Sequence, residues 1–404
     1  MKILINGYHF GNNTPPYVRR FNELGHATKL ITAARFDTDD LLLLHRLSPD
    51  LQRADLLQPS YGTGEKMLIR LLRKIHLPGW RQIQAQKVRA VLDHFQPDVV
   101  WNHSLWIDTD VMIYTGFHPQ VTVSYGYNEI QNHPERRFIR RIIYRNTDRF
   151  IDALPDFREY LIAHEGVDRK KFPEETIYLG LPNLNALLAS REAQVKVMRE
   201  RFGIPYSIPL IVETRGLRQS DGGAIDALRA LHYLRSKGAQ AFLILLSGIL
   251  GNPSVLKEAE ALIASLGLRD CVRIVAEEIS YDDVLSLYAA AEINLSLLPS
   301  DALGKSIMEA VTQRCLLVLT DLPDYRTAFG EHAEYVKPGD WRAIADAINR
   351  ALQLPPEQKR ERLDATLQWV TDHQDFDKAC ERILQYFAIT IEEYRRFTQK
   401  GRHV

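Results

Sequence analysis

The sequence predicts an α/β protein built from two doubly wound domains. Short apolar segments alternate with amphipathic segments through most of the 404 residues, and this alternation is typical of parallel sheets covered by helices on both faces. A chain of this length also favours two or three domains over one. Gly and Pro cluster at residues 180–183 and 203–209, and we expect the domain boundary there because the alternation stops.

The predicted strands are short apolar runs. In the first half of the chain they cover residues 2–5, 28–31, 98–101, 121–124 and 149–153. In the second half they cover residues 210–213, 241–246, 271–275, 293–297 and 316–319. Amphipathic helices are predicted between them, for example over residues 221–234, 254–266 and 281–290. Beyond Pro355 and Pro356 the pattern is helical to the end, so a helical tail is expected after the second sheet.

Composition and charge exclude several classes of protein. Lys plus Arg and Asp plus Glu each number 51, so no overall charge favours binding to nucleic acid. The first apolar run ends at Asn6, too early for a signal peptide, and later runs are much shorter than the roughly 20 residues of a membrane span. Cys271, Cys315 and Cys380 are widely spaced and odd in number, which predicts buried thiols in a reducing compartment. We therefore expect a cytoplasmic protein with no nucleic acid partner.

The loop after the fourth predicted strand of the second half suits a phosphate group. Gly304 allows backbone amides to approach a ligand closely, and the start of the next helix offers unpaired N–H groups. Lys305 adds a positive charge, while Asp301 and Glu309 are close enough in sequence to bind sugar hydroxyls. The alternative is that Asp301 and Ser306 only cap the helix and that the Glu309 side chain is solvated.

The same loop resembles a known family. Asp301 and Glu309, with seven residues between them, resemble the Glu-(seven residues)-Glu signature of family 4 retaining glycosyltransferases, with Asp in place of the first Glu. The likeness extends upstream over residues 280–293 and downstream over residues 316–321. The Gly-His step within residues 24–31 also resembles this family.

This resemblance implies the two-domain arrangement called GT-B, in which two Rossmann-like domains face each other across a cleft. It implies an acceptor-binding domain at residues 1–182 and a domain for the nucleotide sugar at residues 183–375. It also implies that a C-terminal helix, at residues 376–404, packs back on the first domain.

For the donor site, the resemblance implies a role for each matching residue. Asp301 would bind hydroxyls of the donor sugar, and Glu309 would bind the ribose of the nucleotide. The sugar and diphosphate would be bound at the start of the helix, by Leu303, Gly304, Lys305 and Ser306.

A second phosphate-binding loop is predicted at residues 213–223, in the first strand–helix turn of the second domain. Arg215 and Arg218 can each donate several N–H groups to phosphate oxygens, and Gly216 lies between them. Family members usually carry Lys where Asp221 stands, so we expect the two arginines to replace that Lys. The alternative is that the arginines are simply solvated.

Three loops of the first domain are expected to face the acceptor, because aromatic and amide side chains suit sugar stacking and hydroxyl recognition. The residues are Tyr8, Phe10, Gly11 and Asn12 in the first loop, His103 in the second, and Tyr125 and Tyr127 in the third. Many family members have His at the position of Tyr125, so the resemblance implies that Tyr125 lies at the reacting centre. For His103, a structural role is the alternative.

Two acidic triplets, at residues 37–39 and 108–110, match the metal-binding Asp-x-Asp pattern of the other glycosyltransferase fold. Such triplets arise easily by chance, and neither lies in the single-sheet context of that fold. We expect no metal and no cofactor, with a nucleoside-diphosphate sugar as donor substrate.

Two basic segments, at residues 66–90 and 136–149, lie in the predicted acceptor domain. In the first, Met67, Leu68 and Leu71 share one helical face with basic residues opposite. A basic amphipathic helix can lie on an anionic membrane surface, and the alternative is a core-packed helix with a solvated basic face. We expect peripheral contact with the inner face of a membrane, and an anionic or lipid-linked acceptor.

We therefore expect a retaining, metal-independent transferase that moves a sugar from a UDP- or GDP-linked donor to a glycan or lipid-linked acceptor. Synthesis of a surface polysaccharide or glycoconjugate is the expected setting. Two alternatives stay open. A glycosidase would use Asp301 and Glu309 as an acid–base pair about 5 to 9 Å apart. A non-catalytic member of the fold would bind nucleotides without turnover, and the departures at Asp221 and Tyr125 favour it.

Overall fold

A computed structural model describes most of the chain. The described residues are 1–7, 14–33, 55–57, 59–74, 79–105, 107–125, 136–152, 154–217, 223–247, 251–277, 279–301 and 303–400. The chain divides into two compact units. Unit 1 comprises Met1–Gly180 together with Phe376–Val404, and unit 2 comprises Leu181–Asp375.

Unit 1 is built on a parallel six-stranded sheet with the order β3-β2-β1-β4-β5-β6. Its strands are β1 (Lys2–Asn6), β2 (Ala27–Ile31), β3 (Leu56–Leu57), β4 (Val99–His103), β5 (Gln120–Ser124) and β6 (Arg149–Asp152). Ile3 of β1 pairs with Thr28 on one side and with Val99 on the other. The sheet therefore grows outward from β1 in both directions, as a doubly wound fold requires.

Helices cover both faces of this sheet. They are α1 (Pro15–Glu23), α2 (Thr63–Lys74), α3 (Gly79–Phe95), α4 (Ile107–Ile113), α5 (Arg137–Asn146), α6 (Pro155–Glu165) and, from the end of the chain, α16 (Phe376–Lys400). On one face, Phe387 of α16 packs edge-on against Trp101 of β4, with ring centroids 5.5 Å apart. On the other face, Ile69 and Trp80 belong to the cluster that contains Leu4 of β1. The C-terminal helix thus completes the core of unit 1.

Unit 2 contains a second parallel six-stranded sheet, with the order β12-β11-β10-β7-β8-β9. Its strands are β7 (Leu210–Glu213), β8 (Phe242–Leu246), β9 (Val272–Val275), β10 (Ile293–Ser296), β11 (Leu316–Thr320) and β12 (Glu334–Val336). Its helices are α7 (Leu184–Leu187), α8 (Glu192–Phe202), α9 (Ala224–Ser236), α10 (Pro253–Ser265), α11 (Tyr281–Ala290), α12 (Lys305–Thr312), α13 (Pro323–Phe329), α14 (Trp341–Leu352) and α15 (Pro356–His373).

The predicted fold class of two doubly wound α/β domains is confirmed. Every predicted strand is present, with ends that differ by at most two residues from those expected. The sequence did not predict β3 and β12, which are edge strands of two and three residues, because so short a run carries no apolar pattern. The three cysteines are buried and free, as predicted.

Three helix predictions are wrong in their bounds. The basic segment 66–90 forms two helices, α2 and α3, and the segment 136–149 ends in β6 instead of in a helix. The helix expected from residue 221 begins at Ala224, because Gly223 precedes it with a φ of 86°. A Cβ atom at Gly223 would collide with the Leu297 side chain, so this close approach requires glycine.

Candidate active site

The carboxyl ends of β7 and β10 lie side by side in unit 2. The two strands pair in parallel, with Leu295 opposite Glu213. From β7 the chain continues to β8 and β9 on one side of the sheet, and β10 then lies on the other side. The loops after β7 and β10 therefore leave in opposite directions, which is the arrangement that forms ligand-binding crevices in doubly wound sheets.

The loop after β7 is held by the buried carboxylate of Glu213. This carboxylate accepts hydrogen bonds from the N–H groups of Arg215, at 3.0 Å, and Gly216, at 2.7 Å. A Cβ atom on Gly216 would lie 2.6 Å from Glu213 Oε2, so only glycine fits at this turn. The N–H group of Gly216, a residue of the predicted phosphate-binding loop, thus donates to Glu213 within the loop. Arg218 and Asp221 lie outside the described residues.

Arg215 and Asp301 join the two loops. The Arg215 guanidinium forms an ion pair with the Asp301 carboxylate through Nη1 and Oδ2. The Tyr325 hydroxyl, from α13, donates a hydrogen bond to the same Oδ2 at 2.5 Å. Burial lowers the pKa of Arg215, but the charge of the Asp301 carboxylate more than offsets this and the pKa is raised. The sequence predicted separate roles for these two side chains, and the structure brings them into contact.

Gly304 leaves room for this ion pair. A Cβ atom on Gly304 would collide with Arg215 Nη1 and would lie 3.1 Å from Asp301 Oδ2. The preceding residue, Leu303, is buried and has a positive φ of 40°, a conformation that costs on the order of 1 to 3 kcal/mol for a residue other than glycine. Gly304 is the N-cap of α12, and no side chain caps the helix. Capping by Asp301 or Ser306, the alternative considered for this loop, is therefore wrong.

Lys305 and Glu309 lie one turn apart on α12, and both side chains are half-buried. Burial lowers the pKa of Lys305 to about 8, although Glu309 acts in the opposite direction. Burial raises the pKa of Glu309, against the effects of the Tyr281 hydroxyl and of Lys305. The Tyr281 hydroxyl donates to Glu309 Oε1 at 2.7 Å. The helix start thus carries a cation that titrates at mildly alkaline pH and a carboxylate oriented by a tyrosine.

Tyr281 and Tyr325 also belong to this site, and the sequence did not predict a role for either. Each donates a hydrogen bond to one of the predicted carboxylates, from 28 and 24 residues away along the chain. Tyr281 lies in the stretch that carries the family resemblance, whereas no pattern around Tyr325 points to it. Sequence spacing does not distinguish a tyrosine that orients a carboxylate from one that only packs.

In the sheet of unit 1, the carboxyl ends of β1 and β4 correspond to those of β7 and β10 in unit 2. His103, the last residue of β4, is buried, and its Nδ1 lies 2.5 Å from the hydroxyl of Tyr125. Tyr125 follows β5 directly and is half-buried. The other predicted acceptor residues, Tyr8, Phe10, Gly11, Asn12 and Tyr127, lie outside the described residues.

In the acidic triplet at residues 108–110, the Asp110 side chain forms ion pairs within unit 1. The buried Asp110 carboxylate pairs with Arg136 at 2.6 Å and with Arg81 at 3.5 Å. Burial raises the pKa of Asp110, while the two arginines lower it. Within the described ranges, no group of three or more His, Cys, Asp or Glu side chains is arranged to hold a metal ion. The other triplet, at residues 37–39, lies outside those ranges.

One segment of the chain matches a family of known function. Residues 219–366 match the family described as "Glycosyl transferases group 1". The matched segment lies within unit 2. Within the group 1 segment lie Asp301, Lys305 and Glu309, together with both tyrosines that orient the carboxylates, whereas Arg215 precedes it. A comparison with curated proteins gives no match.

Solved structures share the two-domain fold. A glycosyltransferase from Rickettsia africae is 16% identical, with a TM-score of 0.76 over 96% of this chain and 98% of that one. HepE from Anabaena, solved with UDP and glucose, is 15% identical, with a TM-score of 0.71 over 96% and 99%. Sucrose-phosphate synthase from Thermosynechococcus elongatus is 16% identical, with a TM-score of 0.72 over 99% and 100%. At these identities the likeness shows the fold alone, a two-domain α/β fold of the GT-B class.

Proposed function

We propose that this chain is a retaining glycosyltransferase of family 4. It would transfer a sugar from a UDP- or GDP-linked donor, without a metal ion, to a glycan or lipid-linked acceptor, as in the assembly of a surface polysaccharide or glycoconjugate. The observation that carries this proposal is the set of charged side chains at the carboxyl ends of β7 and β10. They are Arg215, Asp301, Lys305 and Glu309.

The two cations suit a diphosphate. A guanidinium has five N–H donors, and Arg215 contacts Asp301 through one nitrogen, so it would bind a phosphate oxygen while staying beside Asp301. Protonated Lys305 stands at the first residue of α12, where the helix N–H groups and dipole also favour an anion. Together they would stabilise the charge that builds on the diphosphate as it leaves.

The two carboxylates suit hydroxyl groups. Glu309, oriented by Tyr281, would accept a hydrogen bond from the ribose of the donor. Asp301 would accept one from the donor sugar, and its negative charge would stabilise the positive charge that develops on the sugar ring in the transition state. Tyr325 would keep the Asp301 carboxylate in place.

The resemblance to family 4 implies that no protein nucleophile takes part. The acceptor hydroxyl attacks the anomeric carbon on the face from which the diphosphate departs. The new glycosidic bond forms as the bond from carbon to phosphate oxygen breaks, and the acceptor proton passes to the departing phosphate. The protein contributes positioning and charge stabilisation.

A thermal-shift screen of UDP- and GDP-sugars tests the proposal, because a ligand that binds only the folded state raises the melting temperature. UDP-glucose is the first probe, since HepE was solved with UDP and glucose. Stabilisation should persist in a chelator, and NMR of the product should show the anomeric configuration of the donor. No response to any nucleotide sugar would contradict donor use, protection that a chelator abolishes would contradict the metal-free part, and an inverted product would contradict retention.

A further inference from the structure

Helix α2 leaves an apolar face in contact with water. Ile69 is fully buried, whereas Met67, Leu68 and Leu71 are 74%, 45% and 52% exposed. Because helical positions three and four apart share a face, these three side chains adjoin one another. Arg70 and Lys74, which were expected on the opposite face, are exposed and lie beside them, because each is three residues from Met67 or Leu71. The face that packs on the sheet is therefore the one around Ile69, and the apolar face noted in the sequence is not part of the core.

Several basic residues of the two basic segments are bound within unit 1. These are Arg73 (with Gln84), Lys87 (with Glu65), Arg81 and Arg136 (both with Asp110) and Arg140 (with Glu165). The two segments therefore contain an inward set of basic residues that stabilises the fold and an outward set that is exposed.

Helix α5 repeats the pattern of α2. Arg137, Arg141 and Arg145 are exposed, and Phe138 on the same side is 73% exposed. Ile143, on the opposite side, is buried. The helix contains no acidic residue. Since α2 packs on α3, α3 on α4 and α4 on α5, both helices belong to one helical layer of unit 1.

We propose that the exposed sides of α2 and α5 form a docking surface for an anionic phospholipid bilayer. Cationic side chains would attract the head groups, while the apolar side chains beside them would enter the boundary with the acyl chains. The described helices include none with the length and apolarity needed to cross a bilayer, so the contact would be peripheral. This proposal goes beyond sugar transfer and does not depend on the donor.

The charge pattern favours a bilayer over a protein partner. An anionic bilayer presents a continuous negative charge above apolar acyl chains, and α5 carries no acidic residue that such a surface would repel. Here each group of exposed apolar side chains adjoins exposed basic ones, Arg70 and Lys74 on α2 and three arginines on α5. The basic excess is local, because acidic and basic residues of the whole chain are equal in number. A surface that is both densely anionic and apolar beneath matches this combination.

Co-sedimentation of the full chain with phospholipid vesicles tests how much the exposed apolar side chains of α2 contribute to binding. Wild type should bind vesicles that contain about one third phosphatidylglycerol, and bind pure phosphatidylcholine at least tenfold more weakly. Met67→Ser with Leu71→Ser should weaken binding to the anionic vesicles about tenfold or more, with an unchanged melting temperature because both side chains are exposed. The matched control is Val197→Ser with Tyr206→Ser, at positions of unit 2 that are 55% and 61% exposed, and it should bind like wild type.

A triple variant and its matched control test how much the exposed basic residues contribute to vesicle binding. Arg137→Gln, Arg141→Gln and Arg145→Gln together should weaken binding to the anionic vesicles on the order of a hundredfold. The control removes the same charge from other exposed positions of unit 1, with Arg169→Gln, Arg382→Gln and Arg396→Gln. It should change binding by less than about threefold.

Three results would overturn the proposal. One is wild-type binding that is absent, or equal for anionic and zwitterionic vesicles. Another is an apolar variant that binds as tightly as its unit 2 control. The third is a lipid-free dimer, seen by light scattering, that Met67→Ser with Leu71→Ser converts to a monomer, because the face would then be a contact between two copies of the chain. Unchanged affinity for UDP-glucose in these variants would separate loss of docking from loss of folding.

Discussion

The two sheets of the molecule carry their candidate site residues at the same topological position, yet the side chains there differ. At the ends of β7 and β10, unit 2 has charged residues in direct contact, with the ion pair between Arg215 and Asp301 at the centre. In unit 1, His103 lies at the end of β4, the strand beside β1, and it pairs with Tyr125, which follows β5. The fold therefore supplies two similar positions, and their side chains are the basis on which we propose a diphosphate site in unit 2 and an acceptor site in unit 1.

Among substitutions in unit 2, removing the charge of Asp301 should have the largest effect on turnover. Asp301→Asn keeps the size of the side chain but removes the negative charge that would stabilise the transition state. We expect turnover to fall on the order of a thousandfold and UDP affinity to change by less than about threefold. Steady-state kinetics and calorimetry measure the two quantities, with the exposed Asp321→Asn as control. Loss of UDP binding in Asp301→Asn would contradict the assignment of this residue to the sugar.

Removing both arginines of the loop after β7 should separate phosphate recognition from nucleoside recognition. In Arg215→Ala with Arg218→Ala, UDP binding should weaken about a hundredfold, because each charge-assisted hydrogen bond contributes about 1.5 to 3 kcal/mol. Binding of uridine should change little. Calorimetric titrations with UDP and with uridine measure the two affinities. A melting curve checks that the variant stays folded, because Arg215→Ala removes the ion-pair partner of the buried Asp301 carboxylate. Equal losses for UDP and uridine would show that the arginines do not bind phosphate.

Raising the pH should weaken donor binding through Lys305. Its pKa is lowered to about 8 by burial, so the amine loses its charge as the pH rises through that value. If the protonated form binds the diphosphate, affinity for UDP-glucose should fall about tenfold between pH 7 and pH 9. Lys305→Arg should remove most of this dependence, because arginine stays charged. The same tenfold loss in Lys305→Arg would assign the titration to another group.

Changing Tyr125 should affect turnover but not the donor. Tyr125→Phe removes the hydroxyl that lies 2.5 Å from His103 Nδ1 and leaves the ring. We expect kcat/KM for the acceptor to fall about fivefold, the effect of one lost neutral hydrogen bond, with UDP affinity unchanged. Kinetics at saturating donor and a UDP titration are the measurements. A weaker UDP affinity would contradict the assignment of the donor to unit 2 and of the acceptor to unit 1.

The sequence predicts the parts of this fold that have local causes. Parallel strands such as β8 are continuous apolar runs, and Asp301 and Glu309 stand at a fixed spacing after one of them. The ion pair of Asp301 with Arg215 joins residues 86 positions apart, and no local pattern encodes such a contact.

The environment of the apolar face of α2 is likewise not encoded in the local sequence. Periodicity identifies its apolar face through Met67 and Leu71, but it cannot tell whether that face meets the core or water. The answer depends on how Ile69 packs against the sheet, which is a tertiary property.

If the proposed function is right, the start of α12 binds a nucleoside diphosphate without a metal ion. The most direct test is a calorimetric titration of UDP, in a chelator, into wild type, Glu309→Ala and the exposed control Glu331→Ala. Wild type and Glu331→Ala should bind UDP equally. Glu309→Ala should bind at least about tenfold more weakly, because a hydrogen bond from the ribose to a carboxylate is lost. Equal affinity in all three proteins, or no UDP binding by wild type, would contradict a nucleotide site at α12.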